Sequence, residues 1–418
     1  MNGRALVRRT LFAGWVLAVA AACATSGPRG AGPADGRGAV EDPQARAEAR
    51  FGAEVQRIGA ERAAGEPVDL QRVRSQMKAV TEILPSFAPA WYNLGWALEG
   101  LKEREGAVEA YRRALRERPD LEAAAVNLAA MLHAGDRTAE AVRVLEAAVQ
   151  TDPAAADARV ALASHRLSLS DVAGARSLCE EALAYVPTHE GAYCVLARAA
   201  VEAERWGRVQ LLVAQGLKLN PDAACLQEAL GDAHLAESRV APAVQAFARA
   251  VELDANRVRA HLRLAEIGMR QKNFSLAARH YQALGDHPDL PLEDRAAAWV
   301  NLGVARKGQG DFEGARAAYE AALQRDEDAA EALFNLATLE LRQFSDLERS
   351  ESLLQRFLQV SDQRADEAYG MLKEIEARRR MLAASPSDLG EGSPEAEGDD
   401  SRASEPTAEP GASEGPAR

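Results

Sequence analysis

In the stretch AWYNLGWALEGLKEREGAVEAYRRALRERP, residues 90–119, apolar residues recur at helical spacing, pause at a polar break, resume, and end at a proline. The pattern predicts two short amphipathic helices joined by a turn. Such a pair cannot bury its own apolar stripe, so it predicts further copies of itself along the chain.

The copies are there. With Ala88 as position 1, Trp91, Leu94, Gly95, Leu98, Ala107, Tyr111, Ala114 and Pro119 fall at positions 4, 7, 8, 11, 20, 24, 27 and 32. A step of 34 residues returns Leu128, Ala129, Ala141, Leu145, Ala148 and Pro153. Further steps return Leu162, Ala163, Ala175 and Pro187, then Leu196, Ala197, Val209 and Pro221, then Leu230, Gly231, Ala243 and Phe247, then Leu264, Ala265, Ala277 and Tyr281. The register slips by four residues across HPDLPLED and resumes at Trp299, Leu302, Gly303, Ala315 and Tyr319. An eighth unit carries Leu336, Ala337 and Leu354, with about one extra residue before Ser350, which stands where the others have a small apolar residue. These positions resemble the tetratricopeptide repeat. The resemblance implies an all-α fold, an α-solenoid superhelix of helix pairs in which each unit packs only on its neighbours. Small residues at positions 8, 20 and 27 allow close helix approach, and large ones at 4, 7, 11 and 24 fill the gaps. Asp171, Asn273, Asp311 and Asp346 stand where they can cap second helices.

About eight units therefore span residues 88–363. Pro85 lies one period before Pro119, so residues 43–87 read as N-terminal helices or a degenerate repeat. Residues 364–384 form an amphipathic pattern suited to a capping helix. Residues 385–418 are rich in Pro, Gly, Ser and Glu, with nine acidic and two basic groups, and read as a disordered acidic tail.

The N-terminus differs in kind. Arg4, Arg8 and Arg9 precede a mostly apolar run over 11–22, followed by small residues and Cys23. This is the layout of a secretory signal, and the run is shorter than the roughly 20 residues of a membrane span. Ala20-Ala21-Ala22-Cys23 is similar to the lipobox of bacterial lipoproteins, although Ala20 stands where that family prefers Leu or Val. The resemblance implies a signal peptide over 1–22, lipidation of Cys23 and a flexible tether over 23–42. Ala24, rather than Asp, implies the outer membrane. Cleavage without lipidation, releasing a periplasmic protein, is the alternative. The disulfide state of Cys179, Cys194 and Cys225 stays open, since three thiols leave at least one unpaired within a monomer.

Charge and motifs narrow the function. The net charge of −13 excludes a phosphate-binding surface of the usual kind, so no nucleic acid is expected. The seven histidines form no ligand pair at helical spacing, and no P-loop, GxSxG or dinucleotide fingerprint occurs. No enzyme activity, cofactor or metal is expected.

What remains is a groove. By resemblance to the family, positions 2, 5, 9, 12 and 13, and partly 6, face it. They include Tyr92, Asn93, Trp96, Asn127, His133, Arg198, Arg259, Arg270, Asn301 and Asn335, with Glu228, Asp232, Glu266, Lys307 and Phe334 beside them. Tyr92 and Trp96 form a candidate hot spot. Trp96 could instead pack on the leading unit, and the recurring Asn could bond locally. The expected partners are envelope proteins or peptides, with the membrane reached through N-terminal acyl chains. The expected role is a scaffold for an envelope machine of motility, pilus or secretion type. The alternative is a periplasmic chaperone or regulator that binds extended peptides or a cell-wall enzyme.

Overall fold

A computed structural model describes residues 42–383. The segments expected to be a signal peptide, a lipidated Cys23 with its tether, and an acidic tail lie outside the described residues, apart from Asp42, which caps the first helix. Every element described is helical, and no strand occurs among the described residues. The chain forms two compact bodies that divide between Leu336 and Ala337.

The first body opens with the pair Pro43–Ala63 and Leu70–Ile83. Unit 1 follows as Ala88–Gly100 and Arg104–Glu117, and unit 2 as Glu122–His133 and Thr138–Thr151. Unit 3 is Ala156–Ser168 and Val172–Tyr185, and unit 4 is Glu190–Glu202 and Trp206–Leu219. Unit 5 is Ala224–Ala236 and Val240–Leu253, and unit 6 is Val258–Arg270 and Phe274–Gly285. Unit 7 is Leu292–Gly308 and Phe312–Leu323. Its first helix explains the register slip. The four inserted residues add about one turn to its N-terminus, so the packing face beyond is preserved.

The turn within each unit has a fixed device. Lys102, Asp136, Ser170, Glu204, Ser238, Lys272 and Gly310 all have positive φ, and all stand at position 15. The amide one residue later reaches back to the first helix, as in Glu103 N to Leu98 O and Arg137 N to Leu132 O. This left-handed closure satisfies carbonyls that the helix end would leave free. The second helix is then capped where an Asx is present. Asp171 accepts from Gly174 N, Asn273 from Leu276 N, and Asp311 from Gly314 N.

Side chains interlock by compensation of volume. Tyr111, Phe247 and Tyr319 at position 24 are wholly buried, and each faces a glycine at position 8. A Cβ added to Gly95 would lie 2.7 Å from the Tyr111 ring, and one added to Gly231 would lie 2.7 Å from Phe247. Where position 24 is Leu145, Cys179 or Val213, position 8 is alanine. The exception is Ala265 opposite Tyr281, whose ring keeps 6% exposure.

Two histidine pairs interrupt the apolar core. His133 and His165 stack edge to face with centroids 4.7 Å apart, and His261 Nδ1 lies 3.0 Å from His280 Nδ1. Burial, with a smaller push from the neighbouring ring, lowers both His165 and His280 to a pKa of about 4.

The second body holds the end of helix Ala330–Leu339, then Leu347–Val360 and Ala365–Ala383. The extra residue of the eighth unit is taken up as a π-helical segment, Glu340–Phe344, which moves the left-handed residue to Ser345. Asp346 caps the next helix through Arg349 N. Ser350 is buried, and its hydroxyl donates to Ala337 O at 2.9 Å, so the polar substitute for a small apolar residue is satisfied.

Candidate protein-interaction groove

The positions expected to face the groove behave differently along the array. In units 1 and 2 the expectation of an exposed aromatic pair is corrected. Tyr92 is only 3% exposed. Its ring lies 5.8 Å from that of Tyr111, and its hydroxyl accepts from Asn127 Nδ2 at 3.4 Å. Asn127 also approaches Tyr111 Oη at 3.3 Å, and Tyr111 donates to Glu99 at 2.9 Å. Asn127 is thus an internal tie between two units. Asn93 is buried, and its Nδ2 donates to Pro89 O, one turn back on its own helix. Trp96 is half-buried under the Arg62 guanidinium of the leading helix pair, 5.4 Å from the ring centre. His133 is half-buried, with Nδ1 3.1 Å from Thr138 Oγ1. Large aromatic side chains at positions 5 and 9 fill space that a partner would need.

Units 4 to 6 carry charge at position 9, as Arg198, Asp232 and Glu266, and unit 5 also carries it at position 5, as Glu228. Glu228 and Asp232, each 5% exposed, replace Tyr92 and Trp96 in register. Arg257 Nε lies 3.2 Å from Glu228, and Arg259 Nη2 lies 2.8 Å from Asp232 Oδ2. Arg263 Nε lies 3.2 Å from Asp232 Oδ1 and reaches Glu266 with Nη1. Asp232 therefore clamps two guanidiniums, one on each carboxylate oxygen. Burial still pushes Glu228 and Asp232 above the ordinary carboxylate range, outweighing the pull of the arginines. Arg198 pairs with Glu202 on its own helix at 3.2 Å.

A cavity of about 600 Å³ opens beside this clamp. Its polar lining includes Asp232, Arg259, Arg263 and Arg270 together with Glu202 and Glu204, and its apolar lining includes Trp206, Leu235 and Ile267. Arg270 is exposed and makes no ion pair. Arg263 and Trp206 were absent from the sequence-derived set. Arg259, Arg263 and Arg270 are spaced to share one helix face, which is the signal that finds Arg263. Trp206 begins a second helix, and no first-helix position rule reaches it. Asn301 is exposed, Asn335 half-buried and Phe334 buried, and none of these lines the cavity.

Next to the clamp, Cys194 and Cys225 form a disulfide with Cα atoms 5.6 Å apart. It joins the first helices of units 4 and 5. Glu190 approaches both sulfurs, which as a disulfide have no thiolate to offer a metal. Cys179 is free and buried, and burial pushes its thiol up to about 12, so it is held as an unreactive packing group. No described helix is long and apolar enough to cross a membrane.

The sequence model of the tetratricopeptide repeat matches residues 88–121, 132–190, 194–257, 229–291 and 300–368, more than half of the chain. The chain belongs to the tetratricopeptide repeat family. It is an all-α repeat protein of the class that binds other proteins. Among solved structures it is similar to pilF of Pseudomonas aeruginosa, with 19% identity, 51% of this chain and 96% of that chain covered, and a TM-score of 0.41. It is similar to yeast Tom70, with 13% identity, 82% and 90% covered, and a TM-score of 0.40. It is also similar to human IFIT1, solved as a dimer with m7Gppp-AAAA, with 18% identity, 70% and 76% covered, and a TM-score of 0.48. No curated protein matches the sequence significantly.

Proposed function

We propose that this protein is a non-enzymatic scaffold, anchored through a lipidated Cys23 at the periplasmic face of an outer membrane. It holds a component of an envelope complex such as a motility, pilus or secretion machine. The observation that carries the reading is the Asp232 clamp beside its cavity. A buried carboxylate fixes Arg259 and Arg263 so that little side-chain freedom is lost when a partner binds. Arg270 adds an unpaired guanidinium, and Trp206 and Ile267 add apolar surface for an anchor residue. The charged groups here orient a ligand, and no nucleophile-and-base pair accompanies them. The Cys194–Cys225 disulfide supports an oxidising compartment, as does the signal layout.

The test is crosslinking and capture from detergent-solubilised envelopes, comparing the native chain with Arg263→Ala/Arg270→Ala. Circular dichroism checks that the variant stays folded. A defined set of envelope proteins captured by the native chain and lost in the variant supports the reading. Diffuse capture that the variant leaves unchanged sinks it in favour of a promiscuous peptide-binding chaperone. Cys23→Ser should release the protein from the membrane fraction.

A further inference from the structure

Units 3 and 4 carry a second feature that the groove does not use. Between the N-terminal ends of Val172–Tyr185 and Trp206–Leu219 the surface opens into a cavity of about 300 Å³. Its walls are apolar, formed by Val172 and by Leu196, Ala199 and Ala200. The last three stand at positions 7, 10 and 11 of unit 4, outside the set that faces the groove. Its rim is basic. Arg176, Arg205 and Arg208 line it, and no carboxylate does.

Glu180 lies behind the rim, 2.6 Å from Arg208 Nη2 and 3.9 Å from Arg176 Nε. Glu180 thus pairs with two of the three guanidiniums from behind, and the lining itself carries three arginines. Arg205 is exposed and forms no ion pair. In a chain of net charge −13 this is a local reversal of sign. The same two units also leave large apolar side chains in solvent. Leu169, Tyr185, Val186, Leu211 and Leu219 are 38% to 64% exposed. Leu211 follows Arg208 by three residues and shares its helix face.

We propose that this cavity is a second docking site, separate from the groove, for an acidic peptide segment that inserts one apolar side chain. The volume is at the lower end for ligand pockets and suits a single side chain rather than a larger ligand. The apolar walls take that side chain out of water. The guanidinium forks then meet the carboxylates flanking it, in a geometry that lysine would not supply. A protein bearing both this site and the groove could hold two partners together.

The experiment measures fluorescence anisotropy with full-length protein. The probe is a fluorescein-labelled short peptide with one leucine between two pairs of glutamates. Controls replace the glutamates with lysines, or the leucine with alanine. The acidic leucine peptide should bind, more weakly as salt rises, and the lysine peptide should not. Replacing the leucine should weaken binding roughly tenfold. Arg205→Glu, which reverses the rim charge at an exposed position, and Ala203→Phe, which blocks the mouth from an exposed position, should each abolish binding. Arg270→Ala in the groove should leave it intact, which separates this site from the scaffold reading. Equal binding of the lysine peptide overturns the proposal. So does indifference to both rim variants, or binding to anionic phospholipid vesicles in place of the peptide.

Discussion

Units 1 and 2 and units 4 to 6 are built on one framework and present opposite surfaces. Position 24 is wholly buried as Tyr111 in one region and as Phe247 in the other, each against a glycine. Position 5 is Tyr92 in one and Glu228 in the other, and position 9 is Trp96 in one and Asp232 in the other. Aromatic side chains close the first region and knit it to its neighbours. A buried carboxylate gathers two arginines in the second, and a cavity opens beside them. The framework positions decide that a unit forms. The first-helix positions decide whether its groove is filled or available.

The strongest way to break this comparison is to truncate the shared framework. Tyr111→Ala and Phe247→Ala should each cost about 3–5 kcal/mol in denaturant unfolding. A large cost at only one of them would mean that the two regions do not share one packing scheme. Reduction of Cys194–Cys225, or Cys194→Ser, comes next. Releasing a cross-link over 31 residues should cost about 3–4 kcal/mol on the chain-entropy account. Hydrogen exchange should rise in units 4 and 5 and stay unchanged in units 1 and 2, because stability in a repeat array is local.

Acid should loosen the array through its histidine pairs, one joining units 2 and 3 and one within unit 6. His165 and His280 have folded pKa values of about 4, below the unfolded value of 6.5. Their contribution is present above pH 6.5 and is lost as pH falls toward about 4, by on the order of 3 kcal/mol for each. The raised Glu228 and Asp232 act in the opposite sense, since the folded state takes their protons first. Thermal unfolding against pH should therefore fall more steeply for the native chain than for His165→Leu/His280→Leu. Parallel curves would remove the histidines from the account. The smallest effect is Asn127→Ala, which should cost about 1 kcal/mol by leaving two tyrosine hydroxyls without their donor. If it also abolished partner capture, the first region would belong to the binding surface after all.

Much of the framework was legible because close packing needs particular sizes at fixed spacing. The small residues at position 20, the Asx caps at Asp171, Asn273 and Asp311, and the four-residue slip before unit 7 all follow from residue type and spacing alone. The groove was less legible. A position rule says which way a Cα–Cβ bond points, but not whether a neighbour covers it. The position of Tyr92 predicts a groove-facing side chain, yet Tyr111 and Asn127 from adjoining helices cover it. The repeat register puts Cys194 and Cys225 near the groove at positions 5 and 2 of neighbouring units, but their pairing could not be assigned before the units stack. Trp206 was missed because the cavity borrows a wall from the start of a second helix.

The left-handed residues at Lys102, Asp136, Ser170, Glu204, Ser238 and Lys272 recur every 34 residues and lie between helices. Excising residues 103–136 would join Lys102 to Arg137, which occupies the same place in its own unit as Glu103. The junction would keep its turn, and the helices on either side would meet partners of the kind they already have. Copy number is therefore something that unequal recombination can change in one step. Such events would lengthen or shorten the array by whole units while leaving each surviving surface intact.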